Sequence, residues 1–212
     1  MTGTLKIGIW ALLATASFPA LAQTNIEFAG IRDGMLFPEA ISVLEKSGYQ
    51  LDPRFPHNPI FGNDPFLRIN NVSMTGHHVT AWYKKIDGGM TYTIQIDGAP
   101  TLSQDPKEIL PTAIVLNFKG NVCYAQKVTI DQSMAVIEEK YGKSLNHYYA
   151  GGVDCPDNGG AVQMLRYPNP AFVASATETG FMMSYRDPEL EKRTLAQLAA
   201  KAGPAGQPKP KF

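Results

Sequence analysis

Residues 77–97, HHVTAWYKKIDGGMTYTIQID, contain the pattern that decides the fold. HHVTAWYKK (77–85) and MTYTIQID (90–97) are rich in residues that favour strands, and apolar side chains alternate with polar ones in the second run. The IDGG sequence between them is typical of a tight hairpin turn, because consecutive glycines supply the positive φ angles that such turns need. A hairpin joins antiparallel strands, so this stretch predicts an antiparallel sheet.

A second hairpin is predicted further along the chain. The runs TAIVLNF (112–118) and VCYAQKVTI (122–130) are rich in β-branched residues, and KGN (119–121) separates them. Successive side chains of a strand point to opposite faces. Cys123 is therefore expected to face away from the apolar side chains of its run, on a face that a covering loop can reach.

Helical spacing of apolar residues predicts three helices, over residues 38–47, 131–142 and 187–202. Each has residues that helix ends prefer. These are Pro38 and Gly48 for the first helix, Asp131 as N-cap and Gly142 for the second, and Asp187 before Pro188 for the third.

The remaining segments complete the predicted architecture. AVQMLRY (161–167) and GFMMSYR (180–186) are strand candidates, whereas the prolines of residues 49–66 favour a loop with neither helix nor internal strand. This order predicts an α+β fold, with an antiparallel sheet and helices packed on one face. The halves 26–110 and 111–200 each contain a helix and strands, which makes an internal duplication a hypothesis.

The two ends of the chain have compositions of their own. Residues 1–22 combine Lys6, an apolar run and a small residue at Ala22, which is the pattern of a secretory signal peptide cleaved after that alanine. Residues 201–212 have too little apolar content to pack, so a disordered tail is expected. We therefore expect one domain over residues 23–200, in a soluble periplasmic or secreted protein with no membrane anchor.

Cys123 and Cys155 are the two cysteines of the chain. In an oxidising compartment such a pair usually forms a disulfide, which here would fasten the glycine-rich turn GGVDCPDNGG (151–160). Redox-active pairs typically have the C-x-x-C spacing, which these cysteines lack. The sequence therefore predicts a structural disulfide.

Charge and motifs narrow the classes of function. The chain has 19 Lys and Arg residues against 19 Asp and Glu residues and no basic cluster, so nucleic acid is not expected as a partner. The motifs G-x-S-x-G, H-E-x-x-H, G-x-x-x-x-G-K-[ST] and G-x-G-x-x-G are absent. The absence of these motifs favours a non-catalytic protein without a cofactor. An enzyme stays open as an alternative, because catalytic residues can come together in the fold without a sequence motif.

Residues 34–49, GMLFPEAISVLEKSGY, resemble a Gly-Met-x-x-x-Glu-Ala-x-x-x-Leu-x-x-x-Gly-Tyr signature. This signature is found in small exported modules of the SmpA/OmlA and beta-lactamase-inhibitor-protein-like group. The resemblance implies a short helical element packed on an antiparallel sheet. It also implies a function in holding other proteins, because the characterised members of that group act in this way.

Histidines are candidates for a small-molecule or hydrolytic site. His77 and His78 begin a predicted strand on opposite faces, and His57 lies in a proline-rich loop over residues 53–66 that would fold over them as a flap. The spacing of these histidines is not that of a metal site, and the aspartates of the glycine-rich turn do not match a calcium-binding EF-hand. A metal is therefore not expected.

Aromatic residues indicate a different kind of surface. Trp82 and Tyr83 are neighbours on a predicted strand, and His147 and Tyr149 share one face of the HYY segment if it is extended. Tyrosine and tryptophan on an exposed sheet face are typical of protein interfaces. The leading hypothesis is a non-catalytic binding module of the cell envelope, such as an inhibitor, an immunity factor or an assembly partner. The alternative is a small-molecule-binding protein or hydrolase with a site at His57, His77 and His78.

Overall fold

The computed structural model of the 212-residue chain describes residues 26–55, 57, 59–69, 72–149, 153–155 and 162–202. Nine strands in this part form one antiparallel sheet, and four helices accompany it, so the predicted α+β fold is confirmed. In chain order the elements are α1 (Phe37–Lys46), β1 (Gln50–Leu51), β2 (Ile60–Ile69), β3 (Val72–Asp87), β4 (Met90–Gly98), α2 (Pro106–Thr112), β5 (Val115–Cys123), α3 (Ile130–Tyr141), β6 (Asn146–Tyr149), β7 (Gln163–Arg166), β8 (Phe172–Thr177), β9 (Gly180–Arg186) and α4 (Pro188–Ala202).

The sheet order is β1-β3-β4-β5-β9-β8-β7-β6, and β2 also pairs with β3. The strands β1–β5 form one half of the sheet and follow α1, and the strands β6–β9 form the other half and follow α3. The last strand of each half, β5 or β9, lies at the centre of the sheet, where the two pair with each other. An internal duplication stays a prediction.

The hairpin of β3 and β4 is confirmed. Asp87 pairs with Met90, and Gly88 and Gly89 between them have φ angles of 57° and 79°. Two consecutive positive φ angles match the twist of the flanking strands, and glycine adopts them without steric cost.

One face of the sheet is apolar and carries the main core. The row Tyr83, Ile94, Gly120, Met183, Ala174 and Leu165 crosses six strands in register. Phe37, Ala40 and Leu44 of α1 and Ile137 of α3 belong to the same buried cluster. Burial of large apolar side chains on this face fixes the two helices against the sheet.

The prediction of a loop over residues 49–66 is wrong in part, because β1 and the first seven residues of β2 lie within it. β2 is an edge strand that pairs with β3, and its register shifts between Asp64 and Leu67. Pro65 falls within that shift, where a missing backbone donor interrupts no regular ladder. The prolines therefore coexist with a strand.

The second predicted hairpin is wrong. Residues 115–123 form the single strand β5, and Gly120 lies within it rather than in a turn. A side chain at Gly120 would place its Cβ 2.5 Å from the Phe28 ring, so glycine is needed here to let that ring pack on the strand. The chain leaves the sheet after Cys123, and residues 124–129 form no strand.

The predicted ends of α1 and α4 are confirmed to within one residue, and Asp187 caps α4 by accepting from the backbone N–H groups of Glu189 and Leu190. The predicted N-cap Asp131 is wrong. Thr129 caps α3 in a reciprocal pair with Gln132, so the helix begins at Ile130.

Besides β1 and β2, three elements were not predicted, namely α2, β6 and β8. Residues 1–22, the predicted signal peptide, lie outside the described residues, as do residues 203–212 of the predicted tail. Within the described part, no helix combines the length and the apolar character that a membrane span requires.

Candidate functional site

The predicted disulfide is present between Cys123 at the end of β5 and Cys155, with a Cα–Cα distance of 5.5 Å. It crosses Gly180 of β9, where an added Cβ would lie 2.8 Å from the Cys155 Sγ and 2.1 Å from the Val122 carbonyl oxygen. Glycine at that position gives the bridge room to pass over the sheet. Residues 153–155 are thereby fastened to the face opposite the apolar core.

That opposite face, the polar sheet face, consists of side chains that alternate with the core residues on the central strands. They are Thr80 and Trp82 of β3, Thr93, Gln95 and Asp97 of β4, Asn117, Lys119 and Asn121 of β5, Ser175 of β8, and Met182 and Ser184 of β9.

Hydrogen bonds connect neighbouring strands across the polar sheet face. The Gln95 Nε2 and the Asn117 Nδ2 both donate to the Asp97 carboxylate, the latter over 2.7 Å. The Asn121 Nδ2 donates to the Thr93 Oγ1 over 3.2 Å. These contacts hold the side chains in defined orientations on a rigid sheet.

Several acceptors on the polar sheet face are buried without a hydrogen-bond partner in the described part of the chain. They are the Asn117 Oδ1, the Asn121 Oδ1 and the Ser175 Oγ. Buried polar groups in native proteins are nearly always paired, and each unpaired one costs about 1–3 kcal/mol. These oxygens have almost no exposed surface, so the cost belongs to the folded chain and an incoming molecule does not reach them directly.

An aromatic and cationic stack covers one end of the polar sheet face. The Phe55 and Trp82 rings are stacked, with centroids 4.3 Å apart and an interplanar angle of 18°. The Arg54 guanidinium carbon lies 5.8 Å from the Phe55 centroid. Offset-stacked rings and cations over ring faces are attractive, so these three side chains form one preorganised unit.

Asp52 fixes the segment that carries this stack. Its backbone N–H donates to the Trp82 carbonyl, and its carboxylate, 1% exposed, accepts from the Arg54 Nε and Nη2. Burial acts to raise the pKa of Asp52, but the hydrogen bonds and charge of Arg54 outweigh it and hold that pKa below its ordinary value. The Arg54 Nη1 also lies 3.5 Å from the Asp154 carboxylate. This contact joins the segment to the disulfide-fastened residues.

The candidate aromatic residues do not form one patch. Trp82 is half-buried on the polar sheet face, whereas Tyr83 is 2% exposed and packs in the core. His147 and Tyr149 belong to β6, six strand positions from β3, a distance of roughly 29 Å at ordinary strand spacing. Their side chains lie outside the described part of the structure.

The histidines predicted for the alternative site occupy a different environment from the one expected. His77 and His78 lie on β3, beside Asn63 and Gly62 of β2. Because the segment from residue 60 onward is a strand in the sheet, it does not form the expected flap over them. His57 is exposed. Among the described residues, no three His, Cys, Asp or Glu side chains are grouped as metal ligands.

Sequence reasoning missed Asp52, Arg54 and Phe55, because their segment was read only as a proline-rich loop. The alternation of polar residues in β4 was the visible signal of the polar sheet face. Comparisons with models of protein families, with curated proteins and with solved structures find no match. The resemblance of residues 34–49 to exported binding modules stays a prediction.

Proposed function

We propose that the chain is a non-catalytic protein-binding module of the cell envelope that holds a partner protein on its polar sheet face. The observation that carries the proposal is the preorganised stack of Arg54, Phe55 and Trp82 at one end of this face, in which Arg54 is 51% exposed. Arginine and tryptophan are enriched among the residues that dominate binding energy at protein interfaces.

The extent of the polar sheet face supports a large partner rather than a small ligand. Its partly exposed members Trp82 and Ser184 lie on strands three positions apart in the sheet, a distance of roughly 14 Å. A single small group cannot reach both positions, whereas a protein surface can contact them together.

The envelope location rests on two further features. The predicted signal peptide at residues 1–22 favours export, and the Cys123–Cys155 bridge is of the kind that persists in oxidising compartments. The resemblance of residues 34–49 fits the same proposal, because it is to exported modules that hold other proteins.

The test is site-specific photocrosslinking in cells that export the full chain. A photoreactive phenylalanine analogue replaces Lys119 or Ser184, both half-exposed on the polar sheet face, and Glu139 on the exposed surface of α3 serves as the control position. We expect a discrete crosslinked protein from the first two positions and none from Glu139. Crosslinks at Glu139 alone, or at no position, would contradict the proposal.

The captured partner, once purified, allows a quantitative test of the stack. Trp82→Ala is expected to weaken binding about 30-fold, since loss of a central interface tryptophan typically costs about 2 kcal/mol or more. Val136→Ala on α3, where Val136 is 47% exposed, is the matched control and should leave the Kd unchanged. Equal affinities for the wild type and the Trp82 variant would exclude the stack from the interface.

A further inference from the structure

The first turn of α4 rests on the loop that precedes α1. A Cβ atom added at Gly34 in that loop would lie 4.0 Å from the Leu190 Cδ2 of α4, which is ordinary van der Waals contact. The Gly34 N–H donates to the Val115 carbonyl over 2.8 Å, so the loop is tied to β5. Residues 187–189 at the start of α4 also form one wall of a cleft of about 750 Å³. The packing of this turn on the loop therefore sets the position of that wall.

Asp187 contacts both the helix and the loop. Its Oδ1 accepts from the backbone N–H groups of Glu189 over 2.8 Å and Leu190 over 3.2 Å, which makes it the N-cap of α4. Its carboxyl group is also hydrogen-bonded to the carboxyl group of Asp33, in the loop before α1. An ionised carboxylate only accepts hydrogen bonds, so two carboxyl groups bond to each other only while one of them carries a proton. This contact between the loop and the helix therefore depends on pH.

The surroundings of Asp33 favour its protonated form. Burial raises the pKa of Asp33, and the charge and hydrogen bond of Asp187 raise it further, whereas a backbone hydrogen bond and the charge of Arg193 act in the opposite direction. The stability that Asp33 contributes is therefore fully present below its unfolded pKa of 3.8 and is lost as the pH rises through the higher folded value. Above that value both carboxylates are charged, and they repel each other.

Other charged and titratable groups around this contact come from the loop, α4, β9 and the end of α3. They are Arg32 of the loop, Glu189 and Arg193 of α4, Tyr185 and Arg186 of β9, and Lys143 after α3. Arg186 is paired with Glu191 and Lys143 with Glu138, whereas Arg32 and Glu189 are exposed. Burial and the charge of Asp33 raise the pKa of Tyr185, so its hydroxyl is neutral. The pKa of Asp33 is raised despite these cations, so they do not cancel the repulsion within the pair.

We propose that the Asp33–Asp187 contact is a pH-dependent fastening between the loop before α1 and the first turn of α4. While the pair holds a proton, the hydrogen bond between the carboxyl groups keeps the turn against the loop. Loss of that proton to solvent leaves two carboxylates in contact, and the turn then separates from the loop more often. The wall of the cleft formed by residues 187–189 therefore becomes more mobile as the pH rises. The fastening does not involve the polar sheet face, so it does not depend on the proposed partner protein.

The test is amide hydrogen exchange, followed by NMR at several pH values on the oxidised chain purified from cells that export it. The measured quantity is the protection factor, which corrects for the pH dependence of the intrinsic exchange rate. For the amides of Glu189, Leu190 and Glu191, we expect it to fall about fivefold relative to α1 between about pH 4 and pH 8, the effect of repulsion between two unit charges about 4 Å apart near water. In Asp33→Asn the side-chain amide donates to Asp187 at every pH, so this fall should disappear.

Asp105→Asn is the matched control, because Asp105 also caps a helix, accepting from the Lys107 N–H over 2.9 Å, but at the start of α2. This variant should keep the fall in protection of α4. Asp187→Asn is the second test variant, since asparagine caps helices as well as aspartate does, and it should abolish the fall. Equal protection of the wild type across the pH range, a fall that persists in Asp33→Asn or Asp187→Asn, or a fall that is lost in Asp105→Asn would overturn the proposal.

Discussion

Glu138 shows at the residue scale how a local cluster couples folding to pH. Its carboxylate lies on α3 and accepts from the Lys143 Nζ, from the Ser144 Oγ over 2.8 Å and from the Ser144 backbone N–H over 3.1 Å. The hydrogen bonds from Lys143 and Ser144 lower the pKa of Glu138 to about 2. The ionised form is therefore stabilised in the folded state.

The sign of the resulting pH dependence follows from that lowered pKa. Stability from Glu138 is present above its unfolded pKa of 4.5 and is lost as the pH falls through the folded value of about 2. Lys143 is 86% exposed, so solvent screening limits the contribution to about 1 kcal/mol. We expect Glu138→Gln to reduce the free energy of unfolding by that amount at pH 6, with the difference shrinking toward pH 2.

Urea unfolding of both proteins across this pH range is the measurement. Other acidic groups titrate equally in the two proteins, so their contributions cancel in the difference. A gap between wild type and Glu138→Gln that stays constant from pH 6 to pH 2 would show that the lowered pKa makes no contribution.

Glycines mark the limit of residue-scale reasoning from sequence. The pair Gly88 and Gly89 was read correctly, because consecutive glycines between strand-like runs have a local cause. Gly120 and Gly180 have a tertiary cause, since the Phe28 ring and the disulfide approach them from segments distant in sequence. A sequence shows that a glycine is present, but not which distant atom requires its lack of a side chain.

At the element scale, the start of α3 shows which of two candidate residues, Thr129 or Asp131, is the N-cap of the helix. The Thr129 Oγ1 accepts from the Gln132 backbone N–H over 3.2 Å, and the Gln132 Oε1 accepts from the Thr129 N–H over 2.9 Å. Asp131 lies one residue inside the helix, in the first turn, where its charge interacts favourably with the helix dipole.

We therefore expect Thr129→Ala to lower the free energy of unfolding by about 1 kcal/mol, because both hydrogen bonds of the capping pair are weakened. Asp131→Ala, the control from the neighbouring acidic residue, should cost about 0.3–0.5 kcal/mol and lose most of that in high salt. Thermal and urea unfolding at two salt concentrations measure both effects. A larger cost for Asp131→Ala than for Thr129→Ala would restore Asp131 as the cap.

Strands were predictable where one face is exposed to solvent and the other is buried. β4 alternates polar and apolar residues for this reason, and its hairpin with β3 was predicted correctly. β8 was missed, because its sequence FVASAT is buried on both faces for most of its length and therefore does not alternate. β2 was missed because a proline in an edge strand was read as a break.

For the whole molecule, the candidate site could be predicted only in part. Trp82 and Cys123 were found from strand alternation, which is a local signal. The stack of Trp82 with Phe55 depends on tertiary packing between the segment after β1 and β3. The contact of Arg54 with Asp154 joins residues that are 100 positions apart in the sequence. No sequence period encodes such contacts, so the loops that meet over the polar sheet face could not be foreseen.

The disulfide is the feature that links these scales, and its removal is the last prediction. The bridge closes 32 residues, and chain-entropy estimates assign about 3–4 kcal/mol of stability to a loop of that length. We expect the double variant Cys123→Ser/Cys155→Ser to lose about this amount in urea unfolding. Hydrogen exchange should accelerate near Cys123 and Gly180, because the covalent tie between residues 153–155 and the sheet is then lost. The helix α1 should retain its protection relative to global unfolding.

Treatment with a reducing agent provides the internal control for this experiment. The wild-type chain should shift to the stability of the double variant, whereas the double variant itself should not respond. Partner binding should weaken in the reduced wild type if the fastened segment shapes the polar sheet face, because the disulfide then no longer holds residues 153–155 against that face. Equal unfolding free energies for the oxidised and reduced chains would mean that sheet packing alone stabilises this end of the molecule.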